Sequence, residues 1–182
     1  PAGAFHIAQA LVDAGLPRGV LGLVYGEPAQ ISQALIADPH VRLVSFTGSV
    51  PVGRQLAALA SQHLKPSLME LGGHAPVVVC ADADPREVAA LAVRAKANNA
   101  GQICVSPTRF YVHGRVFDAF VDAFAQAARQ VRIGPGMDSA TQMGPLANRR
   151  RVRDVEALVD DARRAGARVL SGGQRPPGAG YF

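Results

Sequence analysis

One thiol in this chain stands in a segment suited to attack on a carbonyl. Cys104 closes the run Asn99-Ala100-Gly101-Gln102-Ile103-Cys104, which mixes glycine, polar and apolar residues. A thiol is a useful nucleophile only as thiolate, so its surroundings must favour the ionised form or supply a base. On these local residues alone the simpler reading is a small buried hydrophobe. Glu70, in Leu68-Met69-Glu70-Leu71-Gly72-Gly73, is an acid at the end of an apolar strand pattern. Burying a lone carboxylate is costly unless it is paired or protonated. Partial burial would favour the protonated acid and suit a general base. The alternative is a solvated acid at a strand end. The glycine pair behind it allows close backbone approach, or is only a tight turn.

Phe46-Thr47-Gly48-Ser49 ends a strand pattern and opens a helix pattern, with Gly53 one turn in. N–H groups at a helix start attract phosphate, and glycine lets it come close. Ser49 is alternatively a simple N-cap. Gly26-Glu27-Pro28 is a weaker nucleotide signal, and no Gly-x-Gly-x-x-Gly fingerprint is present. His6, His40, His63, His74 and His113 show no metal-ligand spacing with one another or with cysteine, so no metal is expected. His74 reads as a surface or supporting residue. Cys80, in an apolar run, reads as core. No serine sits in a Gly-x-Ser-x-Gly elbow.

The elements that must position these residues alternate between helix and strand. Hydrophobic periodicity predicts helices near 4–14, 29–37 and 50–62 and strands at 20–25, 41–46 and 67–71. Such alternation implies an α/β fold with a parallel sheet. Gly72-Gly73 marks a switch point, giving domains 1–71 and 72–182. In the second, a strand is expected at 76–80. Asp84 then serves as N-cap, Pro85 as first helical residue and Glu87 in the capping-box position. Val88, Leu91, Ala92 and Ala95 stripe that helix. A turn at 98–105, a strand at 109–112 and a helix near 115–131 follow, with Phe117, Phe120, Val121 and Phe124 on one face. A loop at 134–145, a helix near 147–165 and a strand at 168–170 complete the series.

Composition narrows the class. At 48% hydrophobic and 18% charged over 182 residues, the chain can bury a core and is not disordered. No apolar run approaches the roughly 18 residues needed to span a bilayer, and no basic-then-apolar leader opens it. Two cysteines make no disulfide framework. The expectation is a soluble protein in a reducing, cytoplasmic setting, with no membrane partner. The net charge of +5 is not gathered into a patch. The dense run Arg149, Arg150, Arg151 and Arg153 is followed by Asp154, Glu156, Asp160 and Asp161, which predicts a solvated helix face with i, i+4 pairs. A nucleic-acid partner is therefore not expected.

Taken together, four blocks resemble the aldehyde dehydrogenase superfamily. They are Phe46-Thr47-Gly48-Ser49 with Gly53, Met69-Glu70-Leu71-Gly72-Gly73, Gly101-Gln102-Ile103-Cys104 and Met143-Gly144-Pro145-Leu146; Gly166-Ala167 and Gly172-Gly173 also fit. The 34 positions between Glu70 and Cys104 match the family's separation. The resemblance implies an aldehyde dehydrogenase-like α/β fold: the end of a Rossmann-type cofactor domain, then part of an α/β catalytic domain. It implies NAD or NADP as cofactor and a small-molecule aldehyde as substrate. Cys104 resembles the family's nucleophile and Glu70 its general base, with the Cys104 backbone N–H in the oxyanion hole. Phe46, Thr47, Gly48, Ser49, Gly53, Leu71 and Gly26 map to cofactor binding. Relatives that pass the acyl group to coenzyme A usually lack the acid at Glu70, so hydrolysis to a free acid is implied. The 24–46 and 70–76 regions resemble semialdehyde-type members, such as succinate-semialdehyde dehydrogenases.

The first helix pattern has no start signal beyond Pro1, and the chain stops just after a Gly/Pro-rich loop. An internal piece of a longer protein is therefore expected. The family's oxyanion-hole asparagine, cofactor-binding lysine and adjoining acid would lie before Pro1. Its Glu-x-Phe-Gly-Pro motif and oligomerisation strand would lie after Phe182. The full-length enzyme is expected to be a homo-oligomer, and the 182-residue chain alone nearly inactive. The alternative is a non-catalytic dinucleotide-binding or assembly module of the same fold.

Overall fold

The structure, a computed structural model, describes residues 2–176, 178 and 180–182. The chain divides into two compact units, Pro1–Gly72 and Gly73–Phe182. The first unit holds α1 (Ala2–Asp13), α2 (Pro28–Ala37), β1 (Val44–Gly48), α3 (Val50–Gln62) and β2 (Ser67–Leu71). β1 and β2 are parallel, with Phe46 beside Met69, Thr47 beside Glu70 and Gly48 beside Leu71. Parallel neighbours need a crossover, and α3 supplies it. Gly53 is what lets α3 settle on the end of β2. A Cβ there would stand 2.4 Å from Leu71 Cδ2, far inside carbon–carbon contact.

Both α1 and α3 close with paired 6→1 and 5→2 backbone hydrogen bonds. After α1 the left-handed residue is Gly15, with φ +92°. After α3 it is Leu64, with φ +52° and a side chain 93% exposed. Left-handed backbone costs a residue with a Cβ roughly 1–2 kcal/mol, and glycine is the usual occupant of this position.

The second unit holds β3 (Ala75–Val79), α4 (Pro85–Ala97), β4 (Pro107–Val112), α5 (Phe117–Arg129) and α6 (Arg149–Arg164). β3 and β4 are also parallel, joined through α4. Asp84 caps α4 by accepting from the N–H groups of Arg86 and Glu87, and Pro85 opens the helix, where its missing N–H costs nothing. Asn148 caps α6 by accepting from the Arg151 N–H at 3.1 Å. Gly166, at φ +87°, closes α6 in the same manner as Gly15 closes α1. The core of this unit gathers Val79, Ala89 and Phe120, with Val77, Phe110 and Phe124 packed on it. Phe110 and Phe124 meet edge to face, 5.3 Å between centroids, a favoured aromatic geometry.

Several expectations differ from the structure. Residues 20–25 and 168–170 belong to neither sheet. A strand exists only as half of a ladder, and an apolar run does not by itself supply the other half. Val20 and Val24 are 66% and 61% exposed accordingly. The stripe of α4 is turned from the expected one: Ala89, Ala92 and Val93 are buried while Leu91 is 60% exposed. Small residues let α4 lie close to α5, and the bulkier Leu91 faces away. Phe117, placed on the inner face of α5, is half-exposed at its start. Cys80 is exposed, not core. Side chains alternate along a strand, so Cys80 follows exposed Val78 rather than buried Val79. The Arg/Asp face of α6 pairs at i, i+3 rather than i, i+4, with Arg151–Asp154 at 3.2 Å and Arg163–Asp160 at 3.3 Å. Among the described residues no helix is long and apolar enough to cross a membrane.

Candidate functional site

Within the first unit, the expected cofactor residues other than Gly26 converge where β1 and β2 end and α3 begins. Phe46, Thr47 and Gly48 finish β1, and Leu71 finishes β2 beside Gly48. Gly53 lies against Leu71 on the helix side. Ser49 holds the N-cap position of α3 with extended backbone (φ −76°, ψ 148°), yet its side chain makes no capping hydrogen bond. The Val50 and Val52 N–H groups, Pro51 having none, are therefore not spent on the Ser49 side chain, the condition under which a helix start receives phosphate. Gly48, just before, carries no side chain into that approach. Gly26 precedes α2, where the side chain nearest it is Ile31, and no described contact joins it to Gly48 or Gly53.

Glu70 is exposed: of the two alternatives it is the solvated acid at a strand end, not the partly buried one. The reason is its register. It sits beside Thr47 on the face of the β1–β2 pair opposite half-buried Phe46 and Met69. A different acid in this unit has a shifted equilibrium. The Asp38 carboxyl is held below its ordinary range by the backbone N–H of His40 and then by its ring.

Within the second unit, Cys104 follows α4 in a loop that begins with three left-handed residues. Asn99 (φ 48°, ψ 34°), Ala100 (φ 53°, ψ 33°) and Gly101 (φ 74°) succeed one another. Glycine and asparagine tolerate this region; alanine does so at a cost of roughly 1 kcal/mol. The turn is held by Gln102, whose backbone N–H and side-chain Nε2 both donate to the Asn99 carbonyl, at 3.0 and 3.1 Å. Asn99 Nδ2 returns a bond to the Gln102 carbonyl at 3.1 Å. Gln102 Oε1 accepts from the Ala147 N–H at 2.9 Å. A second turn, closed by Ser106 N–H on the Ile103 carbonyl at 3.0 Å, presents Cys104. The thiol is exposed and free, so the buried-hydrophobe alternative for Cys104 does not hold. Among the described residues no hydrogen bond uses the Cys104 backbone N–H. Ser106 is 4% exposed, and among the described residues its hydroxyl has no hydrogen-bond partner. His74 Nδ1 stands 3.4 Å from Thr108 Oγ1 at the start of β4, a supporting contact. Among the described residues no cluster of His, Cys, Asp and Glu that could hold a metal occurs.

Sequence reasoning named Cys104 but not the Gln102 bond to Ala147. Its local signal was Asn99 and Gly101 in one short segment, a turn signature. The distant half of the bond had none.

The two units are each a parallel strand pair bridged by a helix, the first carrying an exposed acid near the end of β2 and the second an exposed thiol on a strained turn. The Aldehyde dehydrogenase family model matches residues 1–182: the chain belongs to this family. It is 54% identical over 167 residues to the putative 4-(hydroxymethyl)benzenesulfonate dehydrogenase TsaD2 of Comamonas testosteroni, covering 92% of this chain and 35% of that protein. It is 38% identical over 182 residues to the NADP(+) succinate-semialdehyde dehydrogenase GabD of Escherichia coli, covering 100% of this chain and 38% of that protein. The crystal structure of succinate-semialdehyde dehydrogenase from Burkholderia pseudomallei matches with a TM-score of 0.91 and 42% identity, over 97% of this chain and 37% of that one. The chain thus spans about a third of the length of the curated relatives it matches. The expected family and the α/β, aldehyde dehydrogenase-like fold both hold.

Proposed function

We propose that the protein carrying this chain oxidises an aldehyde to a carboxylic acid with NAD or NADP, using Cys104 as nucleophile and Glu70 as general base. The observation that carries the reading is the exposed thiol of Cys104, presented by a left-handed turn in a chain that matches this family from end to end. Cys104 Sγ, as thiolate, adds to the aldehyde carbon and forms a thiohemiacetal. Its unspent backbone N–H donates to the oxygen on which negative charge develops. A nicotinamide cofactor, when bound, would supply the hydride acceptor, so that the thiohemiacetal carbon held on Cys104 is left as a thioester. Glu70 takes a proton from water, the resulting hydroxide adds to the thioester carbonyl, and the carboxylic acid departs as the Cys104 thiolate is restored.

Phe46, Thr47, Gly48, Ser49, Gly53 and Leu71 would hold the cofactor. The uncapped start of α3 beside Gly48 fits its pyrophosphate. Gly26 is the weakest member of this set. Residues 1–71 are then the end of the cofactor domain and 72–182 the start of the catalytic domain. A free catalytic thiol suits a reducing, cytoplasmic setting, and the full-length enzyme is taken as a homo-oligomer. Lacking the rest of the polypeptide, the 182-residue chain alone would turn over little or no aldehyde. The relatives named above act on molecules bearing a sulfonate or carboxylate group, so aldehydes with a distal acidic group are the first substrates to assay.

Two exposed thiols make the test internal. Cys80 and Cys104 are both exposed in this chain, so burial within it does not rank their alkylation rates. In the full-length protein, iodoacetamide should label Cys104 at least about tenfold faster than Cys80, as a thiolate does relative to an ordinary thiol. Equal, slow labelling of both would count against the nucleophile role.

A further inference from the structure

Building on the reading of Cys104 as the nucleophile, we propose that Gln102 is a positioning residue: its side-chain amide fastens the left-handed turn before Cys104 to the start of α6. The turn needs a fastener. Asn99 and Ala100 both hold positive φ, and non-glycine residues persist there only where their surroundings over-determine the backbone. Gln102 supplies the restraint with every polar group it has. Its N–H and Nε2 converge on the Asn99 carbonyl, and its own carbonyl accepts from Asn99 Nδ2. These bonds shape the turn but are local to it.

The remaining bond is different in kind. Oε1 accepts from the Ala147 N–H, 45 positions along the chain. Ala147 is followed by Asn148, whose side chain caps α6 through Arg151 N–H, and Val152 seats that helix at 5% exposure. One amide therefore registers the turn bearing the thiol against a helix anchored in the second unit. Cys104 lies two residues beyond Gln102, so slack in that bond passes into the position of Sγ. Displacements of about 1 Å at a reacting atom can cost on the order of 100-fold in rate. Gln102 carries no charge, so its contribution is geometric.

The test uses the full-length enzyme and three variants. Gln102→Met keeps the side-chain length but removes the acceptor and the donor. Gln102→Glu keeps an acceptor for the Ala147 N–H and loses the donor to Asn99. The tether predicts that Gln102→Met lowers kcat about tenfold or more, as displacement of the thiol from its reacting position implies, with KM for NAD or NADP within about twofold. It predicts faster hydrogen exchange across residues 143–147, and recovery of kcat to within about threefold of wild type in Gln102→Glu. Wild-type kcat in Gln102→Met, or a Glu variant as impaired as the Met variant, overturns it. Should Gln102→Met not fold, the Glu variant decides: kcat more than about tenfold below wild type at an unchanged Tm overturns the tether. Cys104→Ala separates the two claims. If it remains active, the nucleophile reading fails and the tether with it. If it is inactive while Gln102→Met is unimpaired, the tether alone is wrong.

Discussion

Replacing Gly53 with alanine sets two effects of opposite sign against each other inside α3. Alanine in a helix interior is favoured over glycine by roughly 0.5–1 kcal/mol. The new Cβ, however, would stand 2.4 Å from Leu71 Cδ2 and 3.0 Å from Cδ1. Carbon atoms sit at about 3.5–4.0 Å, so Leu71 must retreat by more than 1 Å, and overpacking of this kind costs about 1–3 kcal/mol. The net expectation is destabilisation of about 1 kcal/mol. The clashing atoms belong to the Leu71 side chain, so removing it removes the penalty and leaves the helix gain. In a Leu71→Ala background, Gly53→Ala should therefore become stabilising by roughly 0.5–1 kcal/mol, a coupling of about 2 kcal/mol between the two positions. Urea unfolding followed by circular dichroism, compared at constant m-value, measures all four corners of the cycle. An equal effect of Gly53→Ala in both backgrounds would refute the claim that Leu71 is what Gly53 makes room for.

The other predictions are shorter. Leu64→Gly should raise stability by up to about 1 kcal/mol in the 182-residue chain, because a left-handed leucine replaces the usual glycine at a helix C-terminus and its side chain packs on little; a lower urea midpoint would contradict this. In the 182-residue chain, Ser106→Ala should be neutral or stabilising by about 1 kcal/mol, since it deletes a buried hydroxyl with no partner among the described residues; destabilisation beyond about 1 kcal/mol would show that the hydroxyl is used. The Asp38 carboxyl is favoured in its ionised form by the His40 N–H and ring. Its contribution is therefore present above the unfolded carboxylate pKa of about 3.9 and is lost as pH falls through the lower folded value. Acid titration of stability in Asp38→Asn should show a flatter limb below about pH 4, and an unchanged limb would remove Asp38 from the account.

Much of the framework was legible because local chemistry fixed it. Ser67–Leu71 is a strand between a helix end and a glycine pair, and Asp84-Pro85 announces α4 through cap and first-turn chemistry. Residues 20–25 and 168–170 were misread because periodicity reports which side chains are apolar, not whether a partner strand lies alongside. Leu64 was invisible as a helix terminator: its conformation is imposed by the bonds of Leu64 N–H to Ser61 and Lys65 N–H to Ala60, not by leucine's preference. At the site, the local residues of Cys104 favoured a buried hydrophobe, and only the family resemblance joined Glu70 and Cys104 in thiol chemistry; both are exposed. The strain at Asn99–Gly101 and the reach of Gln102 to Ala147 depend on tertiary contacts that neighbouring letters do not encode.

The central claim is a covalent acyl group on Cys104 whose hydrolysis depends on Glu70. Intact-mass and peptide analysis of full-length Glu70→Gln, mixed with an acid-bearing aldehyde and NAD or NADP and quenched within one turnover, tests it directly. The account predicts an acyl adduct on the peptide containing Cys104, formed together with one equivalent of reduced cofactor and decaying far more slowly than in the wild type. Reduced cofactor produced at the wild-type rate, with no mass added to Cys104, would contradict it.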